Sequence, residues 1–427
     1  MKRTIKLAVV AALALGATSA FATNGSSLIG IGAKARGMGG TAIGVGHGAE
    51  SGISNPALIT TIKGNNEISF GGTIFMPTIK TSQGLDMMGP GGPGVPDGVA
   101  DFNSGAESDS DFFVIPAVSL ASKLNDNFYW GIGMWGTGGL GVDYRDTKTL
   151  LGGGDTQMNM VTALQTMQFG VPLAYTNNGF SIGITPIVQY SSLDIQYTFA
   201  DDTFSEIKRG AGVSQDISTG IDIGLAYQTD GITIGAVYKS KIVFNVDDVL
   251  SETVTTMQRF PYTNDELATP EEYGVGISYT TQGHTLALDW KRINWEDAET
   301  YEDFGWEDQD IIAVGYEYST NDWAVRCGYQ YAESAVQDNT GKGLPLDSMY
   351  APGGANLSNT FNLLGFPGTQ ESHITLGGSY AINETLSMDL AAVYGLKNTE
   401  TLTNFTAQQI KTEHSEQSYS IQVNYAF

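Results

Sequence analysis

The sequence predicts an all-β fold, an antiparallel transmembrane β-barrel of about 14 strands. Three observations predict it. Apolar and polar residues alternate with period two along most of the chain, short polar turns and long loops alternate between the patterned runs, and the last strand ends on Phe427.

The chain opens on Lys2, Arg3 and Lys6, an apolar run from Leu7 to Ala17, and Ala20-Phe21-Ala22. Together these read as a signal peptide over residues 1–22, with the mature chain beginning at Thr23. No stretch approaches the roughly 20 apolar residues that a spanning helix needs, which excludes a helical inner-membrane protein. Cys327 is the only cysteine, so no intramolecular disulfide staples the fold. The net charge of −25 excludes nucleic-acid binding, and acidic loops facing water account for it.

From residue 23 to about 64 the chain is rich in glycine and small residues, without sustained alternation. Asn55-Pro56-Ala57 reads there as a helix start, with Asn capping and Pro at the first position. Residues 65–427 carry the strands. Trp323, Val325, Cys327, Tyr329 and Tyr331 alternate with Ala324, Arg326, Gly328 and Gln330, and the same split recurs around Leu288, Val314 and Met388. A soluble sandwich would show the same alternation, so connection lengths decide. Tight turns are predicted at Asn125-Asp126, Asn177-Asn178, Thr229-Asp230, Thr281-Gln282, Asn321-Asp322 and Asn383-Glu384. Between them lie seven long connections, about 81–109, 138–155, 200–212, 245–268, 297–305, 333–369 and 398–412. A barrel segregates its loops this way, and a sandwich has no reason to. Tyr190, Tyr227, Tyr238, Tyr279, Tyr316, Tyr318 and Tyr380 fit interfacial girdles.

Ser54-Asn55-Pro56-Ala57-Leu58-Ile59-Thr60, the upstream Arg36-Gly37-Met38-Gly39-Gly40, the run from Trp130-Gly131 to Gly138-Gly139-Leu140, and the C-terminal Asn424-Tyr425-Ala426-Phe427 carry a resemblance. Over nearly the whole mature chain the sequence resembles the outer-membrane long-chain fatty-acid and hydrocarbon transporters, the FadL type. The resemblance implies a Gram-negative outer-membrane channel, neither an enzyme nor a cofactor carrier. Residues 23–64 would form a hatch inside the lumen, with Asn55, Pro56 and Ala57 as its motif. Apolar molecules, long-chain fatty acids first and aromatic or aliphatic hydrocarbons as the alternative, would be captured at the surface and passed to a pocket. A change at the N-terminus would then release them sideways where the third strand kinks inward. Partners would be the hydrophobic ligand, outer-membrane lipid and lipopolysaccharide, and the assembly machinery that reads the terminal Phe427. A monomer is expected, since hatch and opening lie in one chain. The N-terminal Thr23-Asn24-Gly25-Ser26-Ser27 is poorer in aromatics than the family pattern.

The third patterned run, Asn127 to about Tyr144, is interrupted by Gly131, Gly133, Gly136, Gly138, Gly139 and Gly141, and Pro116 precedes it. Glycine weakens strands and proline removes a ladder donor, so the lateral opening is expected near Gly131–Gly139. Surface capture is assigned to Leu357, Phe361, Leu363, Leu364 and Phe366, and to Leu85, Met87 and Met88; packing as a lid is the competing reading of the first group. Lys239, Lys291 and Arg326 fall on the lumenal register, where pairing with wall carboxylates such as Asp289 and Glu317 is expected.

Gly131-Ile132-Gly133-Met134-Trp135-Gly136 fits a dinucleotide fingerprint but lacks the helix that would follow it. His47, His284, His373 and His414 show no metal-binding spacing, and no serine and acid partner turns His284 or His373 into a hydrolase. The clusters Asp201-Asp202, Asp247-Asp248, Glu296-Asp297, Glu302-Asp303 and Glu307-Asp308 read as solvated loops, with divalent-cation bridges to lipopolysaccharide as the sharper reading. A diffusion porin, an outer-membrane enzyme and an adhesin are the rival classes.

Overall fold

The computed structural model describes residues 24–83, 105–145, 158–200, 206–255, 262–342, 344, 357–403 and 409–427. The signal-peptide reading, Leu85, Met87, Met88 and Asp201-Asp202 lie outside them. Fourteen strands form the wall: β1 Asn66–Gln83, β2 Phe113–Lys123, β3 Phe128–Asp143, β4 (Val161–Gly170 continued by Leu173–Asn177), β5 Phe180–Ala200, β6 Ser214–Thr229, β7 Ile232–Lys239, β8 Glu271–Thr281, β9 His284–Asn294, β10 Gln309–Ser319, β11 Trp323–Ala332, β12 Ser372–Ala381, β13 Leu386–Thr403 and β14 Gln409–Ala426. Each pairs antiparallel with its neighbours, and β14 closes on β1 from Glu67↔Ala426 to Gln83↔Ile410. The pairing of β14 with β1 removes the two terminal edges of the sheet, as strands in a bilayer require.

The six tight turns join β2–β3, β4–β5, β6–β7, β8–β9, β10–β11 and β12–β13, where the sequence placed them. In three of them a left-handed residue precedes a left-handed glycine: Asn178 and Gly179, Asp230 and Gly231, Gln282 and Gly283. That backbone matches the twist of the flanking strands. At the opposite rim β13 runs to Thr403, into the connection read at 398–412, while β3 ends at Asp143, within its patterned run. The 245–268 connection folds as a helix, Val249–Thr255, between the paired segments Ile242–Asn245 and Glu266–Thr269.

Side-chain polarity is inverted relative to a soluble protein. Leu286, Leu288, Ile312, Val314, Val325, Leu376 and Ile421 are exposed, while Asp289, Gln330, Thr375, Asp389, Gln422 and Asn424 are buried. Only a lipid surround makes the outer face favourable, which removes the sandwich reading. Tyr227, Tyr238, Tyr279, Tyr316 and Tyr380 stand on that outer face. No helix among the described residues is long and apolar enough to cross a membrane.

The segment of residues 24–65 fills the lumen. Its short helices are Ala33–Gly37, Gly48–Glu50, Ser51–Ser54 and Pro56–Thr61. Its contacts run around the wall: Ala33 N–H donates to Gln422, Gly39 N–H to Thr375, and Asn55 to the Leu225 carbonyl. Thr185 donates to the Gly52 carbonyl and Ser278 to that of Gly44. Wall glycines give it room. A Cβ on Gly235 would lie 1.8 Å from the Ile43 carbonyl oxygen, one on Gly224 2.0 Å from Asn55 Oδ1, and one on Gly328 2.2 Å from the Gly39 nitrogen.

Candidate functional site

Three features mark the molecule: an apolar cap, a cavity, and a break in the wall.

The cap is the largest apolar cluster. Leu164, Leu193 and Ile195 from the strand ends meet Val249, Leu250 and Val254 of the loop helix, and Trp295, Tyr301, Phe304 and Trp306. Leu357, Phe361, Leu363 and Leu364 complete it with Phe366. Phe361 stands edge-on to Tyr197 (6.1 Å, 80°) and Phe304 (5.9 Å, 73°). The exposure expected of these five capture residues is therefore corrected. They are 0–8% exposed, because so many apolar groups on neighbouring loops gain more from one another than from water. Packing as a lid describes their state here. A small apolar cavity of about 20 Å³ persists beneath them, lined by Leu164, Leu193, Leu267, Phe304, Trp306 and Phe366.

A larger cavity, about 100 Å³, lies between the lumenal segment and the wall. One side is apolar and backbone: Leu28, Ile29, Ile31, Ile43, Ile53, Ile242, Ile293 and Ile311. The other carries a cross-strand row of charge. Asp222 on β6 faces Lys239 on β7, which faces Glu272 on β8, and Lys291 follows on β9. Lys239 and Lys291 each bind Glu272 at 3.1 Å. Arg326 binds Glu317 at 2.6 Å, the pair the sequence suggested. Asp289 is not the lysines' partner; it accepts from the N–H groups of Ala42, Ile43 and Gly44 at 2.7–3.2 Å and so anchors the lumenal segment. Glu272 and Asp222 escaped the sequence reading because which charges meet across neighbouring strands depends on register, which no local pattern specifies.

The break lies between β2 and β3. Their ladder runs from Lys123↔Tyr129 to Ala117↔Trp135 and stops there among the described residues. Beyond it β2 stays with β1 through Phe75↔Phe113, whereas β3 stays with β4 past an irregularity between Gly136 and Gly138. Pro116, next in β2, has no N–H to offer. Farther up, Asp109 N–H donates to the Asp143 carbonyl and Asp143 N–H to Ser108 Oγ, which closes the window at its outer end. Of the glycines singled out, Gly131 and Gly133 sit in the paired part of the wall, Gly136 at its edge, and Gly138 and Gly139 beside the window. Gly138 bridges to Ser27, with Gly139 N–H donating to the Ser26 carbonyl at 2.9 Å. Leu28 then packs against Phe75, Phe113 and Ile115. The same stretch touches the cap, since Gly25 lies against Trp295 and Trp306.

Asn55-Pro56-Ala57 sits away from the window. Asn55 is buried and caps Pro56–Thr61: its Oδ1 accepts from Ala57 N–H (3.1 Å), and its Nδ2 donates to the carbonyls of Ile43 (2.9 Å) and Leu225 (3.1 Å). It ties one end of the lumenal segment to its middle and to the wall.

His284 lies on the outer surface with its Nδ1 2.7 Å from Tyr316 Oη, and His373 is buried with Nε2 2.7 Å from Glu416. No three His, Cys, Asp or Glu side chains among the described residues form a metal-holding group.

A family model described as "Outer membrane protein transport protein (OMPP1/FadL/TodX)" matches residues 7–343. The chain belongs to that outer membrane protein transport family. The OMPP1/FadL/TodX family comprises transport proteins of the Gram-negative outer membrane rather than enzymes, and the fold agrees with solved relatives. The P. putida toluene transporter TodX is 19% identical, with 94% of this chain and 99% of that chain covered and a TM-score of 0.66. A Pseudomonas aeruginosa FadL homologue is 15% identical (94% and 100% covered, TM-score 0.70), and the Ralstonia pickettii toluene transporter TbuX 18% (94% and 99%, TM-score 0.62). A curated sequence, "Uncharacterized protein in phosphoenolpyruvate carboxykinase gene 5'region" of Chlorobium limicola, is 43% identical over 72 residues. That match spans 17% of this chain and 36% of the relative's length.

Proposed function

We propose that this protein carries apolar small molecules passively across the outer membrane, from the apolar cap to the lumenal cavity and out sideways between β2 and β3. The observation that carries the reading is the forked ladder beside Gly136–Asp143 with the N-terminal Ser26–Leu28 laid across it. An apolar ligand gains about 0.8 kcal/mol per buried methylene, so capture needs no energy source. Straight descent is unfavourable. The lumen below holds buried hydrogen bonds and ion pairs, including Lys34–Asp389 at 3.6 Å and the Ser69–Glu50 contact at 3.1 Å, and an apolar molecule offers nothing in exchange for breaking them. A sideways exit avoids that cost.

In this reading residues 24–64 are the hatch, tied by Asn55, Pro56 and Ala57, and Gly136, Gly138 and Gly139 border the exit. Leu357, Phe361, Leu363, Leu364 and Phe366 form a lid that admits ligand by opening. Because Asn24–Leu28 touches both cap and window, ligand entering from the cap displaces the segment that covers the exit. Long-chain fatty acids and hydrocarbons are the two candidate ligand classes.

Uptake of labelled oleate and toluene tests the proposal in cells lacking their own apolar-substrate transporter, with and without this protein and with Asn55→Ala and Pro56→Ala. Uptake that depends on the protein and changes in the variants at equal membrane levels supports it. Passage of small sugars with neither label would make the protein a diffusion porin.

A further inference from the structure

The charge row of the lumenal cavity bears on which apolar molecules can rest there, an inference that builds on the uptake reading. The described residues lining the cavity bring three carboxylates, Asp222, Glu272 and Asp289, against two ammonium groups, Lys239 and Lys291. Both lysines already share Glu272 at 3.1 Å. Asp289 is held by three N–H groups of the hatch. Asp222 is 3% exposed, and its Oδ2 has no hydrogen-bond partner. A site built for a free carboxylate would present an unshared cation or convergent N–H donors. This cavity instead presents two lysines already held by one glutamate, three carboxylates against two ammonium groups in all, and an oxygen acceptor without a donor.

We propose that the row Asp222–Lys239–Glu272–Lys291 is the specificity determinant of the cavity, admitting uncharged apolar molecules and rejecting free carboxylates. A ligand carboxylate would be buried beside Asp222 and would compete with Glu272 for the lysines. Like charges brought together in a site of low dielectric repel far more strongly than in water. Among the substrates open to a channel of this kind, hydrocarbons, alcohols and phenols then pass, and ionised fatty acids are selected against.

The test uses three ring compounds of similar size: toluene, 4-methylphenol, uncharged at neutral pH, and 4-methylbenzoate, which is ionised. Initial uptake is measured at pH 7 in the transporter-deficient cells, with wild type, Asp222→Asn and Glu272→Gln, and folded barrel is quantified by its heat-modifiable gel mobility. Asp222→Asn is nearly isosteric and removes no hydrogen bond; Glu272→Gln releases both lysines. The expected result is protein-dependent entry of toluene and 4-methylphenol but not 4-methylbenzoate in wild type. The carboxylate-to-phenol ratio should rise about tenfold in either variant, the ratio that corresponds to roughly 1.4 kcal/mol. Wild-type uptake of 4-methylbenzoate as fast as 4-methylphenol would overturn the inference and leave the uptake reading standing, as would an unchanged ratio in folded variants. Entry of none of the three would overturn both.

Discussion

Asn55 shows how much of the hatch depends on single side chains. Its amide closes three hydrogen bonds in a buried place, so Asn55→Ala removes a cap worth about 1 kcal/mol and orphans two carbonyls at about 1–3 kcal/mol each where water cannot reach them. Amide exchange in residues 43–61 should rise at least tenfold in this variant while the wall strands stay protected; unchanged exchange would mean that the motif is no tether. Two titrating groups of the hatch give a second prediction. Burial pushes Glu50 up to about 8 from its ordinary 4.5 and His47 down to about 4 from its ordinary 6.5. For Glu50 the docked state binds the proton more tightly, so its contribution is full below pH 4.5 and lost as pH rises toward 8. For His47 the contribution is full above pH 6.5 and lost as pH falls toward 4. Protection of the hatch should therefore peak between pH 4.5 and 6.5 and fall on both sides, and a monotonic profile across pH 4–8 would contradict the pairing of these opposed groups.

At the scale of elements, the cap is held by aromatic packing rather than by a sheet. Phe361→Ala deletes edge-on contacts to Tyr197 and Phe304 at a cost of about 3–5 kcal/mol. Limited proteolysis should then cut within residues 357–366 at least tenfold faster while the barrel melts as before. Equal cutting rates would show that the lid is held elsewhere. The sequence made the wall readable because a strand facing lipid on one side and a filled lumen on the other must alternate, and Trp323–Tyr331 does so without exception. It showed the apolar character of Leu357–Phe366 but not their burial, since that depends on Val249–Thr255 and Trp295–Trp306 arriving from loops distant in sequence. Glycine density in β3 and Pro116 in β2 are legible locally. Where the ladder ends, at Ala117↔Trp135, follows from register, which no local pattern specifies.

For the molecule as a whole, sideways exit requires that lid, hatch and window act along one path in an otherwise closed wall. The long-range partners of that path were not legible beforehand: Asp289 binding the hatch backbone, Glu272 shared by two lysines, Ser27 bridging to Gly138. Each joins residues whose neighbourhood exists only after the barrel closes. The most direct measurement staples the window shut. An ideal Cβ on Gly136 lies 3.8 Å from Ile115 Cβ, the separation a disulfide spans without backbone movement. Ile115→Cys with Gly136→Cys, in a Cys327→Ser background, is compared oxidised and reduced for toluene uptake at equal levels of folded barrel. Uptake should fall to background when the pair is oxidised and be restored by dithiothreitol. Equal uptake in both states would contradict exit between β2 and β3.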